Sequence, residues 1–243
     1  MKRFLVATVL ASFALPAAAA DLFSAEPPPI VFVPSPAYNW SGFYAGGHVG
    51  WAWSRDSFSV TDTFTGAAVG SGTNDATSFH AGGQIGYDMM FPSNFVIGAR
   101  TAVSWGFGSS NTNTSASGAT VASTSSSNDV GGDVDARLGY AIGDFLPYAI
   151  GGWAWSSGTS TRTQLVGTTG FATPGTIEST NVFRNGWDVG GGLEYRIWSN
   201  WTVFGEYRYA SFGSVNIVYP LAGHSTNSSL SANSLALGVN YKF

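Results

Sequence analysis

Along the last fourteen residues, Leu230 to Phe243, apolar and polar positions alternate. Leu235, Leu237, Val239, Tyr241 and Phe243 share one face, and Ser234, Ala236, Gly238, Asn240 and Lys242 the other. A period of two belongs to a strand with one face against an apolar medium. The alternation returns upstream. Gly186 to Ile197 sets Trp187, Val189, Leu193, Tyr195 and Ile197 against Asp188, Glu194 and Arg196, and Val130 to Ala141 sets Val134, Ala136, Leu138 and Tyr140 against Asp133, Asp135 and Arg137. Phe43 to Trp53, Ala76 to Met90, Phe95 to Phe107 and Trp201 to Ala210 follow the same rule, whereas Phe145 to Trp155 is apolar on both faces and its sides stay unassigned. The pattern therefore predicts eight strands. Short turns such as Phe91 to Asn94, Ile142 to Asp144 and Trp198 to Asn200 alternate with four long segments, Ser54 to Asp75, Gly108 to Asp129, Ser156 to Arg184 and Ser211 to Ser229.

The polarity of the two faces decides what the strands build. Asp88, Arg100, Asp133, Asp135, Arg137, Asp188, Glu194, Arg196, Glu206, Arg208 and Lys242 all fall on the face rich in Gly, and no ionisable residue of these strands falls on the face rich in Leu, Val and Tyr. A water-soluble barrel has the reverse polarity. An Arg or Lys turned to lipid at mid-membrane costs roughly 2 to 4 kcal/mol, which accounts for the empty apolar face. The expected architecture is all-β, an eight-stranded antiparallel transmembrane β-barrel with short periplasmic turns and four long extracellular loops. Trp40, Trp51, Trp53, Trp105, Trp153, Trp155, Trp187, Trp198 and Trp201 fall at strand ends or in short turns, as the aromatic girdles of such a barrel require.

The N-terminus adds a route. Lys2 and Arg3 precede an apolar run from Phe4 to Leu15 and Ala18-Ala19-Ala20, which reads as a secretory signal over residues 1–20. The run is too short to span a bilayer as a helix, which takes ~20 residues. Residues 21–39 hold Pro27, Pro28, Pro29, Pro34 and Pro36 and read as an extended periplasmic spacer, leaving 40–243 for the barrel. With no cysteine, neither a lipid-attachment thiol nor a disulfide framework is available. Of the ten Lys and Arg, Lys2 and Arg3 lie in the signal, leaving eight against fourteen Asp and Glu, which argues against a nucleic-acid partner.

Six negative and five positive inward residues are near balance, and an eight-stranded interior is narrow enough for side chains to fill. The expectation is a lumen closed by ion pairs; the alternative is a narrow passive channel set by Arg100, Arg137 and Arg208. His48 and His80 come opposite each other if the first hairpin turns about Phe64, so they are the candidates for a shared metal or haem iron. No third ligand stands at that depth, and a hydrogen-bonded pair is the plainer reading, so no cofactor is expected. Asp133 and Asp135 share a face as paired carboxylates would, but Arg137 continues that face as an ion-pair ladder. There is no Gly-x-Ser-x-Gly elbow, and no catalytic activity is expected. Phe58, Phe64, Leu165, Phe171, Tyr219 and Leu221 are the apolar exceptions in otherwise Ser-, Thr- and Asn-rich loops, where a host or envelope partner would be met.

Asn39-Trp40-Ser41-Gly42-Phe43-Tyr44-Ala45-Gly46, Gly186-Trp187-Asp188-Val189-Gly190-Gly191-Gly192-Leu193-Glu194-Tyr195 and Leu235 to Phe243 together resemble the small opacity-type, porin-family and immunogenic outer-membrane β-barrel proteins of α-proteobacteria. The resemblance spans Trp40 to Phe243 without the loops. It implies residence in a Gram-negative outer membrane among lipid and lipopolysaccharide, and insertion by the outer-membrane assembly machinery reading a C-terminal signal at Tyr241 and Phe243. It implies a role in envelope integrity and surface interaction, and no defined catalysis.

Overall fold

The computed structural model describes residues 38–107, 110–117 and 120–243; the expected signal and nearly all of the Pro-rich spacer lie outside them. The strands are β1 Gly42–Asp62, β2 Ala68–Met90, β3 Phe95–Phe107, β4 Ser110–Ser117, β5 Thr120–Tyr140, β6 Phe145–Val166, β7 Ile177–Arg196, β8 Trp201–Tyr219 and β9 His224–Lys242. All are antiparallel neighbours in one sheet, ordered β3-β2-β1-β9-β8-β7-β6-β5-β4, and the pairing of β3 with β5 closes it into a ring. β4 continues β3 upward against β5, so eight strands make the ring. The end holding Trp40 and Phe243 is called the lower end below.

Outward side chains of the lower half form two aromatic belts. Below are the cross-strand pairs Phe43–Tyr87, Phe95–Tyr140, Phe145–Tyr195 and Trp201–Tyr241, with ring centroids 4.6–5.3 Å apart. Above are Trp51–Phe79 and Trp187–Tyr209, at 5.3 and 5.6 Å. Phe43 and Trp51 are eight residues apart on β1, which at ~3.4 Å per residue and ~40° tilt gives about 21 Å between belts, close to the ~25 Å apolar band of a membrane barrel. Between them Ile85, Leu138, Val189, Leu193 and Leu237 stand about half exposed.

The strands run on far beyond that band. Nineteen to twenty-three residues in the full-length strands exceed the 9–11 that cross a bilayer. Much of the four segments read as long loops is strand. β1 and β2 extend to a turn over residues 63–67, β6 and β7 to one over 167–176, and β8 and β9 to one over 220–223. Along the β6 extension both faces are polar: Thr159, Thr161 and Thr163 point out, while Ser156, Ser160, Arg162 and Gln164 are buried inside. Alternation persists in the backbone where hydropathy has no period to reveal it.

The face of β6 is now fixed. Leu146, Tyr148, Ile150 and Ala154 are buried inward, and Phe145 and Trp153 stand outward. Trp40 departs from the expected girdle. It is fully buried, packed with Val96, Ala141 and Leu146 inside the lower mouth, and its indole N–H donates to the Gly143 carbonyl. The other eight tryptophans keep an outward place, Trp155 the most covered of them, stacked on Phe183.

Among the described residues two joins stop short. β2 pairs with β3 as far as Phe79↔Phe107, with β4 paired to β5, and β7 pairs with β8 as far as Trp187↔Ser211, leaving residues 177–186 and 212–219 without a shared ladder. β1 and β9, by contrast, are zipped from Tyr44↔Lys242 to Asp62↔His224.

Candidate functional site

Because inward positions recur every second residue on each strand, charged residues at matching heights on β2, β3, β5, β7, β8 and β9 meet in the interior. They meet in two layers. In the lower one the Arg137 guanidinium pairs with Asp88 at 3.3 Å and with Glu194, and lies over the Tyr148 ring at 3.9 Å. The Lys242 ammonium pairs with Asp88 at 2.8 Å and donates to the Trp40 carbonyl at 2.8 Å. Thr202 and Asn240 donate to Glu194. Two cations therefore meet two anions, all at most 4% exposed.

The upper layer joins Arg100 to Glu206 at 2.9 Å, to Asp135 at 3.1 Å and to Asp133 at 3.7 Å. Arg208 reaches Asp135 at 2.6 Å, Asp133 at 2.8 Å and Asp188. The Tyr148 hydroxyl donates to Glu206, and Gln84 bridges Arg100 to Asn240, tying the layers together. Here two cations face four anions. Buried charges of this kind persist only when paired and hydrogen-bonded, so each side chain fixes its neighbours.

Ten of the eleven inward charges lie in these layers. Arg196 does not: it pairs with Asp144 in the β5–β6 turn at the lower rim, with both groups part-exposed and the Tyr38 ring 4.5 Å from its guanidinium. Sequence reasoning placed Gln84 and Asn240 on the inward face without giving them a role and missed Tyr148 and Thr202; the four complete the hydrogen bonds. It also left Asp56, Arg162, Glu178 and Arg184 in loops. Arg184 pairs with Asp56 at 3.7 Å and donates to Ser228, and Glu178 accepts the backbone N–H groups of Leu221 and Ala222, all within the upper extension. Continuing each strand's parity past the upper belt would have found them.

His48 and His80 are not directly opposite. His48 faces Gly82 and His80 faces Gly50, because the hairpin turns about residues 63–67 with a register shift at Val60/Thr61. The rings sit diagonally, 6.0 Å between centroids, and Nε2 of His48 is 2.8 Å from the Ser104 hydroxyl. No group of three or more His, Cys, Asp or Glu among the described residues is arranged to hold a metal. Above the upper charge layer, both rings border a cavity of about 200 Å³.

At the upper tip the turns lean on one another. Thr63 donates to the Gly223 carbonyl and Phe171 to that of Leu221. Phe64, Leu165, Phe171 and Leu221 are exposed there; Tyr219 is instead buried with Ala172, Ile217 and Ala222 and bonded to Ser160.

The profile of the family described as "Outer membrane protein beta-barrel domain" matches residues 5–243. Over the whole of both chains the sequence is 32% identical to the 31 kDa outer-membrane immunogenic protein of Brucella melitensis. It is 29% identical to the 25 kDa outer-membrane immunogenic protein of Brucella abortus, over 98% of this chain and 96% of that one. Among solved structures, the outer membrane protein OprG from Pseudomonas aeruginosa matches 85% of this chain and 98% of its own at 14% identity, with a TM-score of 0.48.

Proposed function

Since this chain belongs to the outer-membrane protein β-barrel domain family and is an outer-membrane protein, we propose that it is a non-enzymatic barrel closed to solutes by its two charge layers, serving envelope integrity and surface interaction. The observation that supports this most directly is the connected set of buried ion pairs across the interior, from Trp40 and Lys242 below to Arg208 and Asp188 above. An eight-stranded ring leaves little room beyond what such side chains occupy. Closing the lumen with charges rather than with leucines keeps the lipid face free of polar groups and gives each strand a fixed register with its neighbours. Removing one partner would leave the other uncompensated. The upper extension then carries the surface role, with Phe64, Phe171 and Leu221 as its exposed apolar tips.

The test is single-channel recording of the refolded protein in planar bilayers, after its gel mobility has been shown to change on heating as a folded barrel's does. Silence is the expected result. Steady, reproducible steps would overturn the closed-lumen reading in favour of a narrow passive channel, with Arg100, Arg137 and Arg208 as the next residues to change. Deletion of the gene is expected to raise sensitivity to detergent; unchanged sensitivity would count against the envelope role.

A further inference from the structure

Above the upper belt the outward face is polar, and at the tip it turns apolar again. On β6 the outward positions run Thr159, Thr161, Thr163 and then Leu165; on β7, read down from the tip, Ile177 is followed by Ser179 and Asn181. The barrel's own membrane does not account for this return. From Trp51 in the upper belt to Asp62 is eleven residues, which at ~3.4 Å per residue and ~40° tilt lifts the tip roughly 29 Å.

Three turns carry the largest apolar side chains of the tip in one row. The Phe64 ring of the β1–β2 turn lies against Gly223 of the β8–β9 turn, where an added Cβ would stand 2.4 Å from it. In that same turn the Leu221 carbonyl accepts the N–H of Phe171, from the β6–β7 turn, at 2.6 Å. The row is anchored from beneath: Ala172, next to Phe171, is fully buried with Ile217, Tyr219 and Ala222, and Glu178 accepts the N–H groups of Leu221 and Ala222. Yet Phe64 is 68% exposed, Phe171 76% and Leu221 46%. Side chains on turns already tied together lose little freedom on docking.

The chemistry of the row selects its partner. Residues 63–67, 167–176 and 220–223 contain no ionisable side chain. Of those flanking them, Arg162 and Glu178 are buried, Asp62 caps the N–H groups of Phe64 and Thr65, and His224 is half-buried. A specific protein interface covers ~800 Å² a side and sets its anchors in a polar, hydrogen-bonding rim. Three side chains on turns of Gly, Thr, Ala and Pro supply neither the area nor the rim. A lipid surface asks only for apolar groups that reach among its headgroups, and with no exposed cation at the tip an anionic surface would gain nothing over a zwitterionic one.

We infer that the tip docks on a zwitterionic bilayer facing the cell, with Phe64, Phe171 and Leu221 entering at headgroup depth. This rests on the surface role proposed above and names the class of its partner. The two fail separately, since channel recording and detergent sensitivity do not involve the tip.

The experiment floats the full barrel, refolded into nanodiscs, with phosphatidylcholine vesicles on a density gradient, beside empty nanodiscs. Co-flotation is expected for the barrel alone, unchanged by high salt or by phosphatidylserine in the vesicles. Phe171→Ser should lower it by about tenfold, and adding Phe64→Ser should lower it further, since burying one such side chain is worth at least about that factor. Phe171→Trp keeps an apolar ring; it should float as the original does and gain fluorescence quenching from vesicles with brominated acyl chains. Absence of flotation, flotation abolished by salt, or undiminished flotation of a folded double serine variant would overturn the inference. So would attachment to cell ghosts that trypsin abolishes, with protein-free vesicles ignored, which would make the partner a protein. Where a serine variant does not fold, the salt comparison and the Phe171→Trp quenching carry the test.

Discussion

The lower and upper halves of this barrel are built from the same eight strands yet obey different rules. In the lower half, the outward face is aromatic and aliphatic and the inward face holds two charge layers, so every second residue is constrained from both sides. In the upper half, serine, threonine and asparagine occupy both faces; Thr161 meets Ser179 outside and Ser160 meets Tyr219 inside. Charge there is also freer to face out, as in the exposed Arg55–Asp75 pair just above Trp53. The difference teaches that the lower half is shaped by two unlike surroundings, lipid and a crowded interior, and the upper half by backbone hydrogen bonding with water on the outside. Each half should therefore fail in its own way.

The largest expected effect comes from Arg137→Ala, which strands Glu194 and leaves Asp88 with Lys242 alone in the lower layer and should cost about 3 to 5 kcal/mol. Unfolding of the refolded barrel in urea would register the loss; a cost below ~1 kcal/mol would mean that the layer does not hold the lower half together. Next, Leu237→Arg places a charge on the outward face midway between the belts and should cost roughly 2 to 4 kcal/mol in a bilayer. The same residue introduced on the upper outward face by Thr161→Arg should stay within about 0.5 kcal/mol. Equal costs for the two would erase the distinction between halves. The smallest effect concerns the upper tip. Asp62 accepts hydrogen bonds from the Thr65 backbone, the Thr65 hydroxyl and the Phe64 backbone, and these hold its carboxyl below the usual range. Its folded pKa being depressed, its stabilisation is complete above the unfolded value of ~3.9 and is lost as pH falls through the folded one. Proteolytic nicking of residues 63–67 should therefore rise only below about pH 4 and be pH-independent in Asp62→Ala.

How much could be read from the sequence follows the same division. Leu237 and Lys242 announce their faces because lipid and lumen demand opposite chemistry, and so the lower strands and ten of the inward charges were legible. Tyr148 was not, since β6 carries apolar groups on both sides and only its neighbours show which side is the interior. Arg184 and Glu178 were hidden by the assumption that strands stop where the membrane does. Trp40 misled for a different reason: a tryptophan at a strand end looks the same whether it faces the interface or turns in to cover a mouth, and the choice rests on the Gly143 carbonyl and the Leu146 side chain, both a hundred residues away. The offset of His48 from His80 arose from where a five-residue turn has its centre, with Gly66 at φ +72°.

The unequal joins of the ring have a mechanical meaning. A ring is as strong as its weakest join, and here the first and last strands, which must find each other across the whole chain, are bonded along their entire length from Tyr44 to Asp62. Among the described residues the joins left short are between neighbours in sequence, β2 with β3 and β7 with β8. Under heat or pulling, this barrel should tear at these two seams, β2 from β3 and β7 from β8, while its two ends stay fastened.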